Sequence, residues 1–319
     1  MDHRPSVSSQ YLELDSDVAG FCDPALAAKG SDPRGIYDDF YKERDFAARA
    51  KNVKAAVLYS HGYEDANVKI SVADKYFNDL ESPHLGLFGH WDHIWPPRAD
   101  AEVLFLAWVD QYVKGKNIGL RKFPNALVEN NLGRSRGFEQ WPTPRAKRTD
   151  QHLDFNKGAI GGRPMKTEGN LVLDPTGSTN STGEGVPVLR TERKLNRSFE
   201  LAGTAKLPLK ATLVGGDNAH VAAFLFDKSR GSEELITYGM FNLAHRKGHD
   251  RYEPVLPGQT VRATLPFLTT DHVFKKGHKM VLEIRAAQPL DSAAVTPSEP
   301  GVLRFETGAK ATRLVLPKL

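Results

Sequence analysis

The sequence predicts an α/β unit followed by an all-β sandwich, and three observations carry that prediction. Residues 54 to 89 hold an apolar run, an amphipathic stretch and a second apolar run, the strand–helix–strand order of a βαβ unit. After Gly119 the apolar residues recur at every second position rather than every third or fourth. Clusters of Gly, Pro, Asn and Asp separate those alternating runs, with no helical period between them. The chain therefore divides into residues 1–119, part of an α/β domain, and residues 120–319, an antiparallel sandwich.

Residues 1–35 are polar and aperiodic and read as irregular surface rather than the first strand of a domain. KAAVLYS at 54–60 runs into His61-Gly62 and reads as a buried strand. Ser71 is placed to cap the following helix, with Asp74 three residues on. Val72, Tyr76, Phe77 and Leu80 recur there at helical spacing, and Pro83 ends the segment. HLGLFG at 84–89 is the second buried strand, parallel to the first. The loop HWDHIWPPR leads to a helix over about 98–114, with Phe105, Val109, Tyr112 and Val113 on one face and Lys114-Gly115 at its end. In the second part, Leu207, Leu209, Ala211 and Leu213 alternate with polar neighbours. So do Val261, Ala263, Leu265 and Phe267, and Met280, Leu282 and Ile284 against Val281, Glu283 and Arg285. VAAFLFD, ELITYGMF, GVLRFETG and TRLVLP are further strands, separated by turn clusters such as DPTGSTNSTGEG.

Composition narrows the function classes. With 319 residues, 40% hydrophobic and 26% charged, the chain has the make-up of a water-soluble globular protein of about two domains. Its 43 basic and 39 acidic residues leave a net charge of +4, too small to draw nucleic acid. No apolar run approaches the roughly 18 residues of a membrane-spanning helix, so no membrane partner is expected. The single cysteine, Cys22, excludes an internal disulfide and a thiolate metal cluster. The opening MDHRPSVSSQYLELDSD lacks the apolar core of a secretory signal, which leaves cytoplasmic and secreted placements both open.

Chemistry is concentrated in two loops. HGYEDANVK (61–69) leaves the first strand and GHWDH (89–93) leaves the second. Reactive groups of an open parallel sheet gather at the carboxyl ends of its strands, and adjacent strands bring those loops together. Asp65 and His93 stand at those two places. A carboxylate beside an imidazole fixes the ring's tautomer and stabilises the imidazolium formed when the ring takes a proton from a hydroxyl. Two other readings stay open. Asp65 lies in a Gly-x-x-Asp-x-Asn loop where aspartate binds its own backbone, and His90, Asp92 and His93 have spacing that suits a metal.

These residues resemble peptidase family S15, which holds the Xaa-Pro dipeptidyl-peptidases and the related cocaine-esterase-type hydrolases. The similarity rests on H-G-x-x-D-x-N-V-K, GHWDH, the upstream YDDFYKERDF, and ELITYGMFNL, VLPGQTVRATLPF and FKKGHKMVLEI in the tail. The resemblance implies that residues 1–119 are the C-terminal portion of an α/β-hydrolase domain, with 1–35 irregular or a cap remnant. Residues 120–319 would then be a jelly-roll, galactose-binding-like sandwich. It implies Asp65 as triad acid and His93 as triad base, with His90 the lesser candidate. Tyr63, Asn67, Trp91 and Trp95 are possible lining residues, against simple packing for both tryptophans. The implied activity releases Xaa-Pro dipeptides from peptide N-termini through an acyl-enzyme, with a peptide or ester substrate and no cofactor or metal.

The nucleophile is the missing member. No Gly-x-Ser-x-Gly elbow precedes Asp65. GRSRG at 133–137 matches the pattern around Ser135, but it follows NALVENNL, precedes FEQWPTP and comes after the histidine, so Ser135 reads as a loop serine and a decoy. Ser60, Ser8 and Ser9 also lack the elbow context. The expectation is a chain that carries acid and base without the serine, inactive alone, and completed by an N-terminal half or assembled as a homo-oligomer. The alternative is a non-catalytic sandwich that binds carbohydrate or peptide on a hydrolase remnant.

Overall fold

The computed structural model describes residues 34–173, 188–216, 220–286 and 300–319. The irregular reading of the chain's start as far as residue 33, Cys22, Ser8, Ser9, the turn cluster at 174–185 and the side chain of Val72 lie outside the described residues.

The α/β portion is a four-stranded sheet in the order β1-β2-β3-β4. Its strands are β1 (Val57–Gly62), β2 (His84–Gly89), β3 (Ala126–Glu129) and β4 (Ser135–Phe138). β1 and β2 are parallel and in register from Val57 opposite His84 to Gly62 opposite Gly89, as the βαβ reading requires. β3 adds parallel to β2, and β4 turns back antiparallel on β3. The sheet thus continues past residue 119. The reading of Ser135 as a loop serine is corrected here: Ala126 and Val128 are fully buried, Gly133 at φ 70° closes a hairpin, and Ser135 opens β4. ALVE is only four residues long, and its strand character comes from lying beside β2 rather than from β-branched content of its own.

Among the described residues, three α-helices accompany the sheet: α1 (Asp39–Arg44), α2 (Ile70–Asn78) and α3 (Ala101–Tyr112). Asp38 caps α1 by accepting the N–H groups of Phe40 and Tyr41. Ser71 does not cap α2. Lys69 precedes the first turn, and Ser71 is the helix's second residue. α3 buries Ala101, Leu104, Trp108 and Gln111, not the expected Phe105–Val113 face, and Phe105 and Val113 are exposed. The segment AEVLFLAWV is apolar nearly all round, so spacing alone does not single out the stripe that meets the sheet.

Each face of the sheet has its own cover. Leu104 and Trp108 of α3 pack with Leu85, Leu87 and Leu120 on one side. On the other, Phe77 of α2, Phe88, Val128, Tyr63 and Trp141 form one cluster that includes Ala202 and Leu268 from the second part of the chain.

That second part is a sandwich of eleven hydrogen-bonded strands. They are β5 (Lys147–Asp154), β6 (Ala159–Gly161), β7 (Glu168–Leu173), β8 (Val188–Lys194), β9 (Phe199–Val214), β10 (His220–Ser229), β11 (Ser232–Asn242), β12 (Thr260–Phe274), β13 (Lys279–Ala286), β14 (Gly301–Glu306) and β15 (Arg313–Lys318). Leu207, Leu209, Ala211 and Leu213 of β9 point into one core with Val221, Leu225, Leu265, Leu282 and Phe305. β13 departs from simple alternation, because Val281 and Glu283 are buried too. Glu283 is tolerated there since Arg190 and Arg285 both donate to it.

A polar seam locks the sandwich to the sheet. Arg136 of β4 donates to both carboxylate oxygens of Glu200 on β9, at 2.8 and 2.6 Å, and to Asp271 on β12 at 2.9 Å. The two-pronged geometry suits a guanidinium and no other cation.

Candidate active site

The ends of β1 and β2 run on as a short two-loop ladder. The Tyr63 N–H donates to the Gly89 carbonyl at 2.8 Å, and the Glu64 N–H to the Trp91 carbonyl at 3.1 Å. This approach depends on a missing side chain. A Cβ on Gly62 would lie 1.8 Å from the Trp91 carbonyl oxygen, and one on Gly89 would lie 2.2 Å from the Trp91 ring. Glycine is the residue that admits such backbone contact.

His61, given no role from sequence, holds the first loop in shape. Its Nε2 lies 2.7 Å from the Val68 carbonyl, which only accepts, so Nε2 carries the proton and Nδ1 accepts from the Tyr59 hydroxyl at 2.6 Å. Inside the loop, Asp65 Oδ1 accepts the N–H groups of Asn67 and Val68 at 2.9 and 2.8 Å. The turn reading of Asp65 is therefore correct, and it uses one oxygen only. Oδ2 accepts from His93 Nδ1 at 2.8 Å.

Asp65 is 7% exposed, whereas the His93 side chain is 60% exposed. Burial pushes the Asp65 carboxyl up, but the bonds from His93, Val68 and Asn67 outweigh it and leave the group below its ordinary range. Asp65 is thus an ionised acceptor at neutral pH, and it selects the His93 tautomer with its proton on Nδ1. Among the described residues no hydrogen bond engages His93 Nε2. The arrangement can accept a proton at that atom and stabilise the cation that results.

The pair borders a depression of about 410 Å³ whose walls include Ser60, Val68, Trp91, Ile94 and Trp95. Trp91 is buried against the two glycines, and Trp95 is exposed with its ring edge-on to Phe105 at 5.8 Å. Tyr63 faces the sandwich instead, with its ring 5.2 Å from His90 and 6.4 Å from Trp141. Asn67 contributes its backbone N–H to Asp65, and its side chain is exposed. His90, Asp92 and His93 do not converge on a common point. His90 Nε2 donates to the Asp271 carbonyl, Asp92 accepts the His93 N–H, and His93 turns to Asp65. Ser135 donates to Glu129 Oε2 at 3.3 Å across its own hairpin.

Fold and site define the class: the C-terminal part of an α/β-hydrolase sheet joined to a β-sandwich. Residues 12–95 match the family model of X-Pro dipeptidyl-peptidase (S15 family), and residues 119–314 match the X-Pro dipeptidyl-peptidase C-terminal non-catalytic domain. The chain belongs to the S15 family of X-Pro dipeptidyl-peptidases. Among its relatives, a putative Xaa-Pro dipeptidyl-peptidase of Bacillus cereus is 22% identical over 283 residues, covering 83% of this chain and 48% of the relative. A putative serine esterase of Mycobacterium bovis is 24% identical over 326 residues, covering 84% of this chain and 51% of that protein. The chain spans about half the length of the curated relatives it matches. A solved CocE/NonD family hydrolase from Staphylococcus aureus superimposes with a TM-score of 0.78 at 15% identity, over 93% of this chain and 59% of that one.

Proposed function

We propose that this chain supplies the acid–base half of a serine peptidase that releases Xaa-Pro dipeptides from peptide N-termini. The Asp65–His93 hydrogen bond, at the border of an open depression that His93 helps to line, carries the reading. Asp65 orients the ring. His93 Nε2 takes the proton of an attacking hydroxyl and then returns it to the leaving amine as the acyl-enzyme forms. Water repeats the cycle and frees the dipeptide. No metal or cofactor enters these steps.

The nucleophile in this reading comes from polypeptide outside residues 1–319, a complementing N-terminal half. Its absence from the isolated chain makes that chain inactive. Exposed apolar side chains at the site support such an association: Ile94 is 61% exposed and Trp95 58%, both bordering the depression, and Phe105, 44% exposed, packs edge-on to Trp95. Peptide rather than ester is the substrate favoured by the family model that matches residues 12–95. Co-expression with the coding sequence upstream of the first codon, assayed on Ala-Pro-p-nitroanilide, tests the proposal. Hydrolysis that requires both partners and disappears in His93→Ala supports it. Hydrolysis by the mixture that survives His93→Ala refutes it.

A further inference from the structure

One side chain touches both site loops and the sandwich. His90 lies three residues before His93, and its side chain is only 17% exposed. Its Nε2 is 2.7 Å from the backbone carbonyl of Asp271 on β12, a group that only accepts. Its Nδ1 is 3.4 Å from Glu64 Oε1, on the residue next to Asp65. A neutral ring donates from one nitrogen alone and would turn its other lone pair toward the Glu64 carboxylate. An imidazolium donates to both.

The surroundings favour the cation. Glu64 and Tyr63 face the ring from the loop after β1, Asp271 and His272 from β12, and Arg136 of β4 reaches the same Asp271. Burial acts against the charge, but Glu64 and Asp271 outweigh it and hold His90 above its ordinary value. The bond to His90 holds Glu64 below its own.

We propose that His90 is a positioning residue: as an imidazolium it ties the Glu64 carboxylate of one site loop and the Asp271 carbonyl of the sandwich, and so holds Asp65 and His93 in hydrogen-bonding register. This rests on the reading of Asp65 and His93 as the acid–base pair. It also assigns the sandwich a task, since β12 becomes the outer anchor of the site. Among the described residues, the polar contacts that remain between the two loops without His90 are their backbone ladder and the Asp65–His93 bond.

The test uses the full chain with ¹⁵N-labelled histidine, observed by imidazole ¹H–¹⁵N correlation at a pH where the His93 ring is neutral. In the native chain His93 is expected as the Nδ1–H tautomer. His90→Ala and Glu64→Ala are each expected to raise the Nε2–H fraction of His93 at least about threefold. Glu64→Gln, whose amide can donate to a neutral His90 Nδ1, is expected to restore the native ratio. Glu64 is 60% exposed, so its variants keep the fold and decide the matter if His90→Ala does not. A native Nδ1–H tautomer left unchanged in Glu64→Ala would overturn the positioning role alone, whatever stability is lost. A native His93 without the Nδ1–H tautomer would overturn the acid–base reading and the positioning role with it.

Discussion

Asp74 offers the most quantitative prediction about how the α/β sheet is joined to the sandwich. It sits on α2, where Oδ2 accepts from the Thr269 hydroxyl of β12 and Oδ1 is buried without a partner. Burial pushes its carboxyl from 3.8 up to about 7, against the pull of Thr269. A carboxyl that holds its proton more tightly when folded stabilises the protein fully below its unfolded pKa. That stability is lost as pH rises through the folded value. A difference of about three units at 1.36 kcal/mol each gives roughly 4 kcal/mol, an upper bound because the group is not fully sealed. Asp74→Asn keeps the shape and the acceptor for Thr269 but has no proton to lose. An orphaned amide costs about 1–3 kcal/mol, and that cost does not vary with pH. The unfolding free energy of the variant minus that of the native chain is therefore expected to rise by about 2–4 kcal/mol between pH 4 and pH 8. Urea titrations followed by the fluorescence of the buried tryptophans measure it. A difference that stays flat across that range would show that Asp74 is ionised in the folded protein and would refute the argument.

Three further outcomes follow from the geometry. Asp65→Asn is expected to lower kcat of the reconstituted enzyme about 10⁴-fold, since the amide cannot hold the Nδ1–H tautomer, and steady-state hydrolysis of Ala-Pro-p-nitroanilide reads it. Gly62→Ala would place its Cβ 1.8 Å from the Trp91 carbonyl oxygen, forcing the loops apart, and is expected to destabilise by several kcal/mol, seen as a lower urea midpoint. Arg136→Met strands Glu200 and the fully buried Asp271 without their cation and is expected to cost about 3–5 kcal/mol in the same assay at neutral pH.

How far the sequence reached depended on whether a signal was local. KAAVLYS and HLGLFG read as strands because each is a short apolar run bounded by glycine or proline, and their parallel pairing followed from the helix between them. Asp65 and His93 were legible as neighbours for the same reason: adjacent parallel strands leave their loops side by side. The buried stripe of α3 is not legible in the sequence because apolar residues surround that helix, so only the sheet decides which of them it covers. β3 was missed because four residues carry too little pattern to announce a strand. The His90 clamp lay beyond any sequence pattern, since its partner carbonyl on Asp271 is 181 residues away. The fate of Ser135 was half visible. Its flanks lack the strand-to-helix context of an elbow, and its place at the start of a hairpin strand, opposite Glu129, emerges only in the structure.

Reaction with a serine-directed fluorophosphonate tests the division of labour most directly. The isolated chain is expected to incorporate no label above its His93→Ala background. Together with the complementing polypeptide, label is expected to appear in stoichiometric amount on a serine of that polypeptide, and only when His93 is intact. Stoichiometric labelling of Ser135 in the isolated chain, abolished by His93→Ala, would contradict it.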